Sequence, residues 1–231
     1  MHISIGYQKY EGDAEMIAGD RNFAIQAIKE GYAALVIEQR CFGERLEDEG
    51  NSNADPICHR SAMSAIMLGR TMIGERVWDV SRAIDTLMNF KEIDTDKIGC
   101  MGNSGGGTIT FYASCIDERI KVCMPSCSIC TFEDSLIPIV HCVCNFIPGI
   151  MKYFDMGDLA CLISPRPLIV VAGRKDDIFP IDGAIKAYNT IEQVYKAAGA
   201  AENCRLVIGK EGHQFYAKQG WSAFGELSGW K

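Results

Sequence analysis

The sequence lacks the features that would place a protein of this length in a specialised class. No apolar run reaches transmembrane length, no charged start precedes a hydrophobic stretch, and no segment is repeated or rich in Pro and Ser. A formal net charge of −7 without a basic stripe argues against nucleic acid as a partner. These absences predict a cytoplasmic globular protein without a membrane partner, and 231 residues are enough for one full hydrophobic core.

Cysteine, in contrast, is abundant. The chain has 11 cysteines, and many of them lie in apolar segments, among them Cys100, Cys115, Cys123, Cys161 and Cys204. A free cysteine in such a segment behaves as a small hydrophobic residue. The spread of the cysteines and their odd number favour a reducing compartment over a disulfide framework.

Strand-like and helix-like segments alternate along the chain. Short apolar runs predict strands at 32–39, 97–103, 120–127, 166–173 and 204–209. Helical spacing of apolar residues predicts helices at 13–30, 61–72, 75–90, 106–117 and 182–199. Such alternation indicates an α/β fold with a mostly parallel sheet covered on both faces, whose functional groups follow the carboxyl ends of the strands. We expect one domain over 1–231, with 128–155 as an irregular insertion near the site.

Glycines surround Ser104 in the stretch DKIGCMGNSGGG, directly after a predicted strand. A dinucleotide-binding turn would need G-x-G-x-x-G and an acidic residue at the end of the next strand, and a P-loop would need Gly-Lys-Ser/Thr. The glycines instead stand at Gly99, Gly102 and Gly105, the next strand ends in MPSC, and the turn contains no lysine. Both phosphate-binding interpretations are therefore disfavoured.

The same stretch contains G-x-S-x-G, with Ser104 as its serine. In a hydrolase turn of this kind the strained backbone exposes the serine Oγ at the top of the sheet, and flanking glycines allow the helix and strand to approach closely. The backbone N–H of Gly105 would then point at a developing oxyanion. Because the motif is common by chance, it needs an acid and a histidine later in the chain, in that order.

Both partners are present after later strands. Asp176 and Asp177 follow the predicted strand 166–173, and His213 follows the predicted strand 204–209. The aspartate would orient the imidazole, which would take the proton of Ser104. The residues themselves do not separate Asp176 from Asp177, because either could face the histidine.

With these residues identified, the chain resembles the α/β-hydrolase superfamily, in particular the bacterial acetyl xylan esterase and dienelactone hydrolase-like group. The resemblance rests on GYAALVIEQRCFGER, GRTMIGERVWDVSRAIDTL, DTDKIGCMGNSGGG, ISPRPLIVVAGRKDDIFP and GKEGHQFY. It implies a three-layer α/β-hydrolase fold and hydrolysis of short-chain, acetyl-type esters without a cofactor or metal. The family's D-x-x-x-P stretch selects Asp176, four residues before Pro180. Dienelactone hydrolases proper use a cysteine nucleophile, so a serine at 104 favours an ordinary esterase.

The beginning of the chain departs from this pattern. Enzymes of this fold have further strands before the one predicted at 32–39, and the loop after them supplies a second oxyanion donor. We therefore expect the chain to lack its first strands, with His2 and Tyr7 on the remnant of that loop. Losing one oxyanion donor costs about 10²–10³ in kcat. An exposed sheet edge would also favour pairing with a second copy of the chain.

A different class of function is suggested by Cys123, Cys127 and Cys130, whose C-x₃-C-x₂-C spacing is that of radical S-adenosylmethionine iron–sulfur enzymes. The segment HCVC, with Cys142 and Cys144, follows. An iron–sulfur or zinc protein is therefore the second hypothesis. A third is a catalytically silent module of the hydrolase fold that acts by association.

Overall fold

The computed structural model describes residues 2–5, 11–46 and 58–230, apart from the side chains of residues 2, 3 and 18. Its centre is a parallel sheet of four strands in the order β1-β2-β3-β4. The strands are β1 Ile98–Asn103, β2 Ile120–Ser126, β3 Leu168–Gly173 and β4 Cys204–Gly209. Their order in the sheet follows their order in the sequence, so each crossover between neighbours contains a helix or a longer segment.

Helices precede the sheet, connect some of its strands and follow the last one. They are α1 Asp13–Met16, α2 Phe23–Lys29, α3 His59–Met67, α4 Met72–Leu87, α5 Gly105–Ile116, α6 Ile181–Ala197 and α7 Ala217–Ser228. Short 3₁₀ helices lie at His2–Ile5, Gly43–Arg45, Val143–Asn145, Ile150–Lys152, Asp158–Leu162 and Ala201–Asn203. In the described ranges, none of the helices combines the length and hydropathy that a membrane span requires.

Helices cover both faces of the sheet because successive residues of the buried strands point to opposite sides. Val170 of β3 belongs to a core cluster with side chains of α4, α5 and α6. Its neighbours Ile169 and Val171 belong to the opposite cluster, which contains residues of α2 and α7. Every residue of β3 is buried. This continuous apolar strand produces the three-layer arrangement that the sequence predicts.

The segment 32–39 differs from the prediction. It forms neither a helix nor a strand, and within the described residues it joins no ladder with another strand. A cavity of about 360 Å³, lined by Leu35 and Ile37 on one side and by Ile98 and Met101 of β1 on the other, lies between this segment and the sheet. The prediction of a buried strand here is therefore wrong: residues 32–39 are exposed or half-buried, with Leu35 50% exposed, and a strand also needs a hydrogen-bonding neighbour.

Two further segments show how local geometry modifies the pattern. The helix predicted at 13–30 is divided into α1, a π-helical turn at Ile17–Arg21 and α2, because Gly19 and Asp20 have non-helical dihedral angles. Residues 128–155 form turns and short 3₁₀ helices. Tyr7 and the side chain of His2 lie outside the described residues.

Candidate active site

Ser104 lies in a sharp turn between β1 and α5. Its backbone has φ 57° and ψ −125°, a conformation that residues with a side chain rarely adopt. The N–H of Ser104 donates to the carbonyl of Ser126 at the end of β2, with an N–O distance of 2.8 Å. The turn therefore holds the serine at the carboxyl-end edge of the sheet, where the sequence motif predicts it.

Glycines make this turn possible because the helix and the strands approach closely. A Cβ atom at Gly102 would lie 2.5 Å from the backbone carbon of Gly106. A Cβ atom at Gly107 would lie 2.6 Å from the carbonyl oxygen of Ser126. At Gly105, by contrast, a Cβ would meet no atom within 4 Å. The space beside the first residue of α5 is open, and its N–H is at a helix N-terminus, where negative charge is stabilised.

Asp176 and His213 form a hydrogen-bonded pair in the loops after β3 and β4. The distance from His213 Nδ1 to Asp176 Oδ2 is 2.8 Å. The other carboxylate oxygen of Asp176 accepts the N–H groups of Ile178 at 2.9 Å and Phe179 at 3.0 Å. The Asp176 side chain is fully buried, whereas 19% of the His213 side chain is exposed. Both oxygens of the carboxylate thus accept hydrogen bonds, and part of the imidazole remains accessible to solvent.

The environment of Asp176 favours its ionised form. Burial by itself raises the pKa of a carboxyl group, because it removes water from the charge. Here the hydrogen bond from His213 and those from the N–H groups of Phe179 and Ile178 outweigh burial and hold the pKa of Asp176 below its usual value. Asp177, in contrast, is exposed. The geometry therefore separates the two neighbouring aspartates, which the residues alone leave equivalent.

Cys127 connects the histidine loop to the end of β2. Its Sγ donates to the carbonyl oxygen of Gln214, next to His213, across 3.2 Å. Burial, followed by the charge of Asp176, raises the pKa of the Cys127 thiol to about 12. The thiol is therefore neutral and available as a donor. Because Ser104 also bonds to the end of β2, the loops of the serine and the histidine meet at this strand.

The structure brings the acid and the histidine into contact but does not join the histidine to the serine. The Ser104 hydroxyl makes no hydrogen bond within the described part of the chain. Contacts between a nucleophile and its base are often long in structures without substrate and shorten when substrate binds. All four predicted residues, Ser104, Gly105, Asp176 and His213, lie at the carboxyl ends of their strands.

Two aromatic rings lie beside the pair, at positions that no sequence motif marks. The ring of Phe179 stacks on that of His213, with centroids 5.9 Å apart. The ring of His141 packs edge-on against Phe179 at 5.2 Å. Because Ser135 donates its hydroxyl hydrogen to Ile178, His141 Nε2 must donate to the Ser135 oxygen. Burial lowers the pKa of His141. The sequence signal for Phe179 is its place just before Pro180.

The cysteine trio of the second hypothesis is dispersed. Cys123, Cys127 and Cys130 direct their sulfur atoms at the carbonyls of Thr110, Gln214 and Pro180, respectively. Among the described residues, these sulfurs do not form a group with the spacing of metal ligands. The short spacing in the sequence is not preserved in space because the first of these cysteines lies within β2 and the other two follow it. This geometry does not support a metal site built from these three cysteines; Cys127 instead lies within 4.8 Å of ligand atoms of Asp176 and His213.

Comparison with known proteins relates this site to esterases. A family model described as glucuronyl esterase of fungi matches residues 70–131, which include the serine turn. The putative hydrolase YtaP of Bacillus subtilis (strain 168) is 28% identical over 221 residues, covering 91% of this chain and 70% of the relative.

Solved structures show the same architecture. A putative acetyl xylan esterase from Bacteroides fragilis NCTC 9343 has a TM-score of 0.66 and 20% identity over 81% of this chain and 49% of the other. A carbohydrate esterase family 15 glucuronoyl esterase from Caldicellulosiruptor kristjansonii has a TM-score of 0.59 and 19% identity, covering 70% and 52%. The chain spans about half the length of these solved structures. At this level of identity, the likeness establishes the α/β-hydrolase fold.

Proposed function

We propose that the chain is a serine carboxylesterase that hydrolyses short-chain, acetyl-type esters, including acetyl groups carried by sugars. The observation that carries the proposal is the hydrogen bond between His213 and Asp176 at the same sheet edge as the strained turn of Ser104. A hydrogen-bonded acid and base at the same sheet edge as a half-buried, conformationally strained serine is the arrangement that acyl transfer requires. The esterase names of the similar proteins support the same class of reaction.

In the first half of the reaction, Ser104 Oγ attacks the carbonyl carbon of the ester while His213 Nε2 takes its proton. The hydrogen bond from Nδ1 to Asp176 keeps the hydrogen on Nδ1, so that Nε2 has the free electron pair that a base needs. The ionised Asp176 then stabilises the imidazolium ion. The N–H of Gly105 donates to the negatively charged oxygen of the tetrahedral intermediate.

In the second half, His213 gives the proton to the leaving alcohol and afterwards activates a water molecule. The water attacks the acyl-serine and releases the acid, which restores Ser104. These steps need no cofactor or metal, and the partner they require is a small-molecule ester. The charge of Asp176 is held by the backbone N–H groups of Ile178 and Phe179 throughout.

A second substrate class is favoured by the match to the glucuronyl esterase model over 70–131. In such an ester the sugar supplies the acid, whereas in an acetylated sugar it supplies the alcohol. The two candidates place the sugar on opposite sides of the carbonyl carbon that Ser104 attacks. They can therefore be separated with one enzyme preparation, by comparing kcat/KM for an acetylated xylose and for a methyl ester of glucuronic acid.

The experiment that tests the proposed function is intact-mass analysis after treatment with a fluorophosphonate probe. We expect one adduct on the wild type and on Ser222→Ala, which removes an exposed serine of α7, and none on Ser104→Ala. Ser104→Ala should also lower kcat on an aryl acetate by about 10⁴-fold or more. An adduct on Ser104→Ala, or unchanged hydrolysis by this variant, would contradict the proposal.

A further inference from the structure

Three sulfur atoms outside the candidate active site form a compact cluster. The Sγ atoms of Cys58, Cys142 and Cys144 all lie within 4.8 Å of one another. Cys58 directly precedes α3, and the other two belong to the 3₁₀ turn at Val143–Asn145 and its N-cap. The two segments are brought together across 84 positions of sequence. Cys58 and Cys144 are buried in a small apolar cluster that also contains Cys41.

The structure joins two of these sulfurs directly and leaves the third as a thiol. Cys58 and Cys142 form a disulfide whose Cα atoms are 7.3 Å apart, and Cys144 is free beside it. Cα atoms of disulfides are usually roughly 4.4–6.8 Å apart. In a tetrahedral zinc site, zinc–sulfur bonds of about 2.3 Å hold the sulfurs about 3.8 Å apart, which allows a wider separation of the backbone. The Cα distance is therefore well suited to a cation between the sulfurs.

Arg76 brings a positive charge to this cluster. It is only 2% exposed, and its Nη1 donates to Cys144 Sγ across 3.1 Å. Its Nη2 donates to the carbonyl of Arg40, while its Nε has no hydrogen-bond partner. Within 11–46 and 58–230, no carboxylate forms an ion pair with it. A buried guanidinium is costly unless an anion compensates its charge, and thiolates are the anions that the cluster offers.

We propose that the thiolates of Cys58, Cys142 and Cys144 bind one zinc ion. Three thiolates and Zn²⁺ have a net charge of −1, which the guanidinium of Arg76 neutralises. Each thiol releases its proton as zinc binds. Thiolates of this kind select zinc over magnesium or calcium, which prefer oxygen ligands.

Zinc binding requires the disulfide to be open. A dithiol reductant supplies two electrons and two protons, which break the S–S bond and leave Cys58 and Cys142 as thiols, while the dithiol becomes a disulfide. The reducing compartment that the cysteine content predicts would keep all three sulfurs in the form that binds metal. The disulfide and the zinc complex are thus two states of the same site.

The site would connect α3 to the loop that runs beside the candidate active site. Cys142 directly follows His141, whose ring packs on Phe179, the residue stacked on His213. Zinc held by Cys58, Cys142 and Cys144 would cross-link two segments that are 84 positions apart in sequence. Its role would be to fix the loop beside the candidate active site, because none of its ligands belongs to the site of Ser104.

The test is a zinc titration of the full chain after reduction with a dithiol under argon and removal of the reductant. Competition with a chromophoric chelator gives the affinity, and native mass spectrometry gives the stoichiometry. We expect one zinc per chain for the wild type and for Cys161→Ser, which removes an exposed cysteine that does not belong to the cluster. Cys144→Ser should weaken binding at least 100-fold, and Arg76→Met by roughly 10–100-fold, as for other residues that support metal ligands.

A second readout separates loss of the site from loss of the fold. Zinc should raise the Tm of the wild type and of Cys161→Ser but not that of Cys144→Ser. If Cys144→Ser does not fold, cobalt added to the wild type should produce the thiolate-to-cobalt absorption of three sulfur ligands. Three results would overturn the proposal: no zinc on the reduced protein, equal affinity in a folded Cys144→Ser, or a Cys58–Cys142 disulfide that persists through reduction.

Discussion

The two edges of the central sheet both hold charged side chains, but in different ways. At the amino-end edge, the guanidinium of Arg166 donates to the carbonyls of Ser114, Ile120, Leu162 and Ile163 at distances between 2.6 and 3.2 Å. It makes a further, longer bond to the carbonyl of residue 117. All N–H groups of the Arg166 guanidinium are thus hydrogen-bonded, and they join the starts of β2 and β3 to α5.

The carboxyl-end edge is less complete. Asp176 is fully bonded, but the Ser104 hydroxyl has no partner in the described part of the chain and the space beside Gly105 is open. Ser104 and Cys127 at this edge have positive φ angles of 57° and 46°. At the amino-end edge, polar groups are fully hydrogen-bonded and stabilise the fold. At the carboxyl-end edge, where a substrate would bind, backbone strain and unbonded polar groups remain.

The largest expected effect of a substitution at the carboxyl-end edge is on catalysis. Asp176→Asn removes the charge that orients His213, so we expect kcat for an aryl acetate to fall by about 10⁴-fold. Asp177→Asn, at the exposed neighbouring position, should leave kcat within twofold of the wild type, or about 0.4 kcal/mol. Equal losses in the two variants would show that the buried pair is not the functional one.

The next effect is on stability at the opposite edge. Arg166→Met leaves several carbonyl groups without their donor, and we expect a loss of about 3 kcal/mol in the free energy of unfolding. Arg205→Met breaks an exposed ion pair with Glu226 and should cost about 1 kcal/mol or less. Denaturation by urea measures both, and kcat of the folded Arg166→Met should be unchanged. If Arg166→Met lowered kcat but not the free energy of unfolding, the assignment of a purely stabilising role to this residue would be wrong.

A smaller effect depends on pH. Arg119 holds the pKa of Asp117 at about 2, against the opposing effect of burial, and Ser81 adds a further hydrogen bond. Because the folded-state pKa lies below the unfolded value, this stabilisation is present above about pH 4 and disappears as the pH falls through 2.

Asp117→Asn should therefore cost about 1–2 kcal/mol in the free energy of unfolding near pH 7, after allowance for screening by solvent. The difference from the wild type should vanish as the pH approaches 2. Asp96→Asn, at an exposed position, is the matched control and should show no such convergence. A difference between Asp117→Asn and the wild type that stays constant with pH would contradict the assignment.

The smallest effect concerns the ring that supports the histidine. Phe179→Leu removes the stacking contact with His213, which is worth about 0.5–1.5 kcal/mol, so kcat should fall roughly 3- to 10-fold. Phe154→Leu, at an exposed position, should leave kcat unchanged. Kinetics on one ester at saturating concentration, together with Tm values, distinguish a misplaced imidazole from a destabilised fold.

Much of the fold could be predicted from periodicity alone. The strand predicted at 204–209 is observed at those positions, and the one predicted at 97–103 begins a single residue later. The helix predicted at 182–199 is α6, Ile181–Ala197. These elements are predictable because their apolar residues are local signals: a continuous buried run for a strand and a 3.6-residue repeat for a helix.

Contacts between distant segments were not predictable in the same way. The apolar run at 32–39 has the sequence pattern of a strand, yet whether a neighbouring strand pairs with it depends on which segment lies across the cavity. The cysteines show the same limit. Cys123, Cys127 and Cys130 are close in sequence and dispersed in space, whereas Cys58 and Cys142 are 84 positions apart and in contact.

The sequence by itself determined the alternation of strands and helices, the glycine turn around Ser104, and the order in which an acid and His213 follow later strands. Only the tertiary structure decided that Asp176 is buried against the imidazole while Asp177 is exposed. The reason is physical. Turn geometry and apolar periodicity depend on residues within a few positions of one another, whereas burial and hydrogen-bond partners depend on which distant segments the sheet brings to one edge.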